Sequence, residues 1–107
     1  MFGLKQDDID AIIKLLRTYP QIEQAIIFGS RAKGNYKTGS DVDIALKGNN
    51  IDEAVWKIHY ELEEESIMPY YFDILNYNKI ENKDLIEHIN RAGIVFYNRN
   101  NSSSPIR

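Results

Sequence analysis

Apolar residues at Ile9, Ile12, Ile13 and Leu16 recur at the spacing of one helix face, which predicts a helix over Asp7–Tyr19. Asp7 or Asp8 can cap its start. Pro20 closes it, because the residue before a proline is pushed out of helical geometry. Gln24–Phe28 is a short apolar run stopped by Gly29, too short for a helix and rich in β-branched residues, and it reads as a buried strand. Residues 29–40 carry three glycines and several polar side chains, the composition of a loop, with a helical turn able to start at Ser30.

Asp41–Leu46 is a second strand, and Lys47–Asn50 has turn chemistry. A helix over about Asp52–Ser66 uses Ile51, Ala54, Val55, Ile58 and Leu62 as its buried stripe, leaving Glu61, Glu63, Glu64 and Glu65 mostly outside as a solvated face. Pro69 marks the break into a third strand, Tyr70–Leu75. A last helix, Asn82–Arg91, presents Leu85, Ile86 and Ile89 and ends near Gly93, a natural C-terminal cap. Ile94–Tyr97 forms a short final strand. The order predicts one α/β domain over 1–98, a small mixed sheet packed against helices on one side. The polar remainder, 99–107, is expected to be a disordered tail.

Composition narrows the chemistry. The chain has 107 residues and no cysteine, so disulfides, thiol nucleophiles and cysteine-ligated zinc drop out. A net charge of −3 gives no strong nucleic-acid signal. No window approaches a membrane span and the N-terminus lacks the pattern of a leader, so the expected location is the cytoplasm. His59 and His88 have no neighbouring ligand at metal spacing and read as surface or packing residues, and most of the seven tyrosines read as core or interface.

The stretch FGSRAKGNYKTGSDVDIAL concentrates what remains. On a strand, residues i and i+2 share a face about 6.6 Å apart, so Asp41 and Asp43 project together while Val42 and Ile44 enter the core. Two carboxylates at that spacing repel by roughly 2–3 kcal/mol at an effective dielectric near 20, and a bound divalent cation converts that cost into affinity. At the other end of the loop, Gly29 has no Cβ to hold a phosphate away, and Ser30 adds a hydroxyl donor. Arg31 and Lys33 place positive charge nearby. Asp73 interrupts the apolar run YYFDIL, where an unpaired acid is expensive, so it is the candidate third carboxylate, converging with Asp41 and Asp43 on one patch. Two rival motifs fail. The glycine spacing of a P-loop is followed by Asn35 and Tyr36, not Lys and Ser/Thr, and the Asp-Val-Asp runs into Ala45 and Leu46 where an EF-hand needs a ligand and a glycine.

With its G-S-x₁₀-D-x-D spacing and later aspartate, the chain resembles the polymerase-beta-like nucleotidyltransferase superfamily over about residues 7–97. Its size is similar to that of the minimal nucleotidyltransferases (MNT) of prokaryotes, the MntA-type antitoxins of HEPN/MNT toxin–antitoxin pairs. The resemblance implies that fold and an AMP transfer from ATP to a hydroxyl with release of pyrophosphate. The implied acceptor is a tyrosine of a HEPN-domain toxin. It further implies that Gly29, Ser30 and Arg31 hold the nucleotide, and that Asp41 and Asp43 bind two Mg²⁺ ions. Asp73 would bind the ion on the nucleophile side and help deprotonate the acceptor. The chain lacks the Arg-x₄₋₆-His-x-Tyr signature of the toxin itself. Two other functions compete: an antitoxin that neutralises by occlusion alone, and a transferase acting on a small molecule such as an aminoglycoside. The second needs a substrate pocket that a chain this short does not build alone.

Overall fold

The computed structural model describes residues 1–37 and 39–99. The expected tail over 99–107 therefore lies, beyond Arg99, outside the described residues. The elements run α1 (Gln6–Arg17), β1 (Ile22–Phe28), α2 (Ser30–Lys33), β2 (Val42–Gly48), α3 (Asp52–Tyr60), β3 (Phe72–Asn76), α4 (Lys83–Ala92) and β4 (Ile94–Asn98). A π-helical turn, Glu61–Glu65, prolongs α3, and a short 3₁₀ turn, Tyr77–Lys79, follows β3.

The four strands form one mixed sheet in the order β3-β2-β1-β4. β1 lies antiparallel to both β2 and β4, whereas β3 is parallel to β2. A parallel neighbour needs a crossover to carry the chain back, and α3 with its π turn supplies it. Strand alternation then sorts the side chains. Ala25 and Ile27 of β1, Val42, Ile44 and Leu46 of β2, and Phe72 and Ile74 of β3 share the larger core with Ile9, Ile12 and Leu16 of α1 and Ala54 and Ile58 of α3.

Ile26, Phe28 and Ala45 point the other way and meet Ile89 of α4. Helices therefore cover both faces, not the one side expected from the element order. The physical reason is in β1 itself: four successive buried residues, Ala25–Phe28, leave neither face polar, as in strands covered on both sides. Beneath α4, Gly93 has φ −73°, so it is no left-handed cap; a Cβ there would instead press on the Ile89 carbonyl and the Ile26 side chain.

The helix ends differ in kind. α1 begins one residue earlier than expected, at Gln6, with Lys5 at the N-cap and no side-chain cap; Asp7 and Asp8 fall in the first turn, where the helix dipole favours acids. Asn82 caps α4 directly, its Oδ1 accepting from the N–H groups of Asp84 at 2.9 Å and Leu85 at 3.1 Å. Asn82→Ala should therefore lower stability by about 1 kcal/mol in a urea titration.

Candidate active site

β1 ends at Gly29, whose φ of 76° and ψ of −154° lie in a region essentially reserved for glycine. That conformation turns the chain sharply into the single helical turn of α2. A Cβ on Gly29 would collide with Oδ2 of Asp43, so the close approach of that carboxylate is a second reason for the glycine. α2 ends at Gly34, φ 86°, whose N–H donates to the Ser30 carbonyl at 2.9 Å. Ser30 is half-buried at the start of the turn.

Asp43 is the hub. In the sheet register it stands beside Phe28 of β1 on one side and Asp73 of β3 on the other. Neighbouring strands are about 4.8 Å apart, so Asp43 and Asp73 are abreast and point to the same face. Asp41 lies just before β2, exposed, and Asp73 is exposed on an edge strand, while Asp43 is half-buried. Burial first, then the charges of Asp73 and Asp41, push the Asp43 carboxyl up to about 6, with the Arg31 guanidinium pulling the other way. Of the three carboxylates expected on one patch, the register sets Asp43 and Asp73 side by side, whereas Asp41 lies outside β2, just before Val42. Among the described residues no three His, Cys, Asp or Glu groups stand close enough to cage an ion unaided. What the register does bring together is an oxygen-only pair, Asp43 and Asp73, whose mutual repulsion a hard divalent cation would relieve.

Arg31 has different partners from those expected of a nucleotide ligand. It is only 4 % exposed. Its Nε and Nη2 donate to the Ser40 carbonyl at 3.1 and 2.8 Å, and its Nη1 donates to the Phe2 carbonyl at 2.9 Å. The guanidinium also sits 5.1 Å from the ring centre of Tyr36 and 5.4 Å from that of Tyr70. One side chain thereby ties the start of the loop to its end beside Asp41, and both to the N-terminal segment. Sequence reasoning missed this clasp because its acceptors are backbone carbonyls, which carry no residue signature. Arg31→Ala should cost about 2–3 kcal/mol in denaturant unfolding, and Arg31→Lys should recover under half of it, because an ammonium lacks the planar fork.

The remaining candidates are placed as follows. Lys33 is exposed at the end of α2. His88 on α4 packs edge-on against Phe28, ring centres 6.4 Å apart. His59 faces Glu63 at 3.4 Å. The acidic run after α3 is not wholly a solvated face, since Glu63 turns inward and accepts the Phe72 N–H of β3 at 2.7 Å. Glu63 lies within the π turn.

Comparison with known proteins agrees with this geometry. The family model "Polymerase beta, Nucleotidyltransferase" matches residues 10–102. No curated protein matches the chain. Among solved structures, a chain of a toxin–antitoxin complex with AMP-PNP is similar with a TM-score of 0.71 at 22% identity, covering 91% of this chain and 78% of that one. A chain of the MntA–HepT toxin–antitoxin is similar with a TM-score of 0.65 at 20% identity over 94% of this chain and 78% of that one. A chain of the tri-AMPylated Shewanella oneidensis HEPN toxin in complex with its MNT antitoxin is similar with a TM-score of 0.67 at 20% identity, over 94% and 78%. At these identities the likeness is one of fold. Among the described residues no helix is long and apolar enough to cross a membrane. The family match spans nearly the whole domain, including the Gly29 turn and all three aspartates, and the chain is a nucleotidyltransferase of the polymerase beta family.

Proposed function

We propose that this chain is an antitoxin that moves AMP from ATP to a tyrosine hydroxyl of a HEPN-domain toxin, with Mg²⁺ held by Asp41, Asp43 and Asp73. The observation that carries the reading is the Asp43–Asp73 pair standing abreast beside the glycine turn of Gly29. The fold-level likeness to a toxin–antitoxin complex with AMP-PNP and to one whose toxin is AMPylated supports the choice of nucleotide and partner.

In the proposed reaction the acceptor oxygen attacks the α-phosphorus of ATP. A new P–O bond forms, the bond to the bridging oxygen of the leaving group breaks, and pyrophosphate departs. Divalent cations, when bound, polarise the α-phosphate and neutralise the leaving charge. Gly29 lets the triphosphate approach the backbone, and the Ser30 hydroxyl donates to it. Asp73 accepts the hydroxyl proton. Its exposure on the edge strand β3 leaves room for an acceptor that arrives on another protein. Arg31 acts from behind, holding the loop between Gly29 and Asp41 in place.

Incubation with ATP, Mg²⁺ and a purified HEPN-domain toxin, followed by mass spectrometry of the toxin, tests this. AMP on a partner tyrosine, absent when EDTA is added, is the expected result. Neutralisation of the toxin with no covalent change would instead establish occlusion as the mechanism.

A further inference from the structure

We infer that the groove running from Trp56 to Tyr71 is the surface on which a basic segment of the protein substrate docks. The inference rests on the protein-acceptor reading above. Trp56 and Tyr60, one turn apart on α3, hold their rings parallel, with centres 5.7 Å apart and an angle of 11° between planes. Yet they are 66% and 49% exposed. Two large stacked aromatic rings this exposed among the described residues form a recognition surface.

The stack borders a depression of about 180 Å³ whose floor reaches Glu63 and Glu64. A second depression, about 340 Å³, begins at the same two glutamates and runs past Pro69 to Tyr71. Glu63 and Glu64 border both, so the two depressions adjoin. Tyr71, 72% exposed, stands two residues before Asp73. The second depression therefore reaches the segment that leads into the edge strand carrying the proposed proton acceptor.

The lining selects the occupant. Among the described residues, no Lys or Arg borders either depression. Glu63 is already engaged by the Phe72 N–H and by His59, whereas Glu64 is exposed and has no ion-pair partner among the described residues. A guanidinium or ammonium laid on the Trp56 face would meet both the ring quadrupole and the Glu64 carboxylate. A triphosphate would be repelled by the same carboxylates, and an acidic or purely apolar segment would leave Glu64 uncompensated.

The test is calorimetric titration of a purified HEPN-domain toxin, without nucleotide, into wild type, Trp56→Ala, Glu64→Lys and Glu87→Lys. Glu87 is exposed on α4, against another surface depression, and serves as the rival site. Both groove positions are exposed, so the variants should melt with the wild type. The expected result is a Kd raised about tenfold or more by Trp56→Ala, and about tenfold by Glu64→Lys at low salt with a smaller effect at high salt. Glu87→Lys should stay within twofold of wild type. Both groove variants within twofold, weakening by Glu87→Lys instead, no binding by the wild type, or sedimentation showing that the groove joins two copies of this chain would each overturn the inference. AMP transfer measured in parallel separates the two readings. A wild type that binds through the groove but transfers no AMP upholds the docking surface and overturns the proposed function; transfer with an unchanged KM in both groove variants does the reverse.

Discussion

An Asp43→Asn protein is expected to unfold at higher urea than the wild type and to transfer nucleotide roughly a thousandfold more slowly. The two effects have one cause. Without a cation, Asp43 is a half-buried carboxylate beside Asp73 and near Asp41, and its carboxyl titrates at about 6 instead of the ordinary 3.8. A raised folded-state pKa means that the folded protein holds this proton more tightly than the unfolded chain. The resulting contribution to stability is fully present below about 3.8 and is lost as pH rises through about 6. Above that pH the charged Asp43 weakens the fold, by on the order of 1 kcal/mol once screening by water is allowed for. Asparagine keeps the shape and removes the charge. Urea unfolding in EDTA should therefore show Asp43→Asn more stable than wild type at pH 7.5, with the difference gone at pH 4. Transfer should fall roughly a thousandfold, because a ligand for the ion at the α-phosphate is lost. A variant that loses transfer and also stability would mean that Asp43 is a structural residue.

Gly29→Ala and Gly34→Ala are expected to separate backbone strain from chemistry. Both glycines have positive φ, 76° and 86°, where an L side chain is strained; Gly34 is left-handed helical, and Gly29, with ψ −154°, lies in a region reserved for glycine. At Gly34 nothing lies within 4 Å of the added Cβ. That variant should lose about 1–2 kcal/mol and keep transfer within a few-fold of wild type. At Gly29 the Cβ meets the end of the Asp43 side chain, which can rotate away. The stability cost should then be only about 1–3 kcal/mol, while the displaced carboxylate costs about a hundredfold in rate. Unfolding curves and initial rates on the same preparations give the comparison. Equal rates for the two variants would show that the proximity of Gly29 to Asp43 has no part in the reaction.

How much of this was legible in the sequence depended on whether the signal was local. The turn at Gly29, the helical turn from Ser30 and the strand bearing Asp43 follow from residue type and spacing alone. The pairing of Asp73 with Asp43 follows once the apolar run around Asp73 is laid beside β2, because an acid inside YYFDIL needs a reason. The side on which α4 lies was misjudged because element order says nothing about which sheet face a helix covers; the unbroken burial of Ala25–Phe28 was the available clue. The Arg31 clasp was out of reach, since a contact with Phe2 across the fold is made to a carbonyl that every residue possesses. The hydrogen bond from β3 to Glu63, inside the π turn, was hidden in a run of glutamates that fits an exposed helix face equally well.

In the proposed reaction Asp43 and Asp73 act together on a nucleotide. The measurement that tests this most directly follows label from α-labelled ATP onto the purified HEPN protein, in Mg²⁺, with wild type, Asp43→Asn and Asp73→Asn side by side. Label on the partner with wild type, and none above background with either variant while both remain folded, is the predicted result. Label passed at wild-type rate by either variant would contradict it.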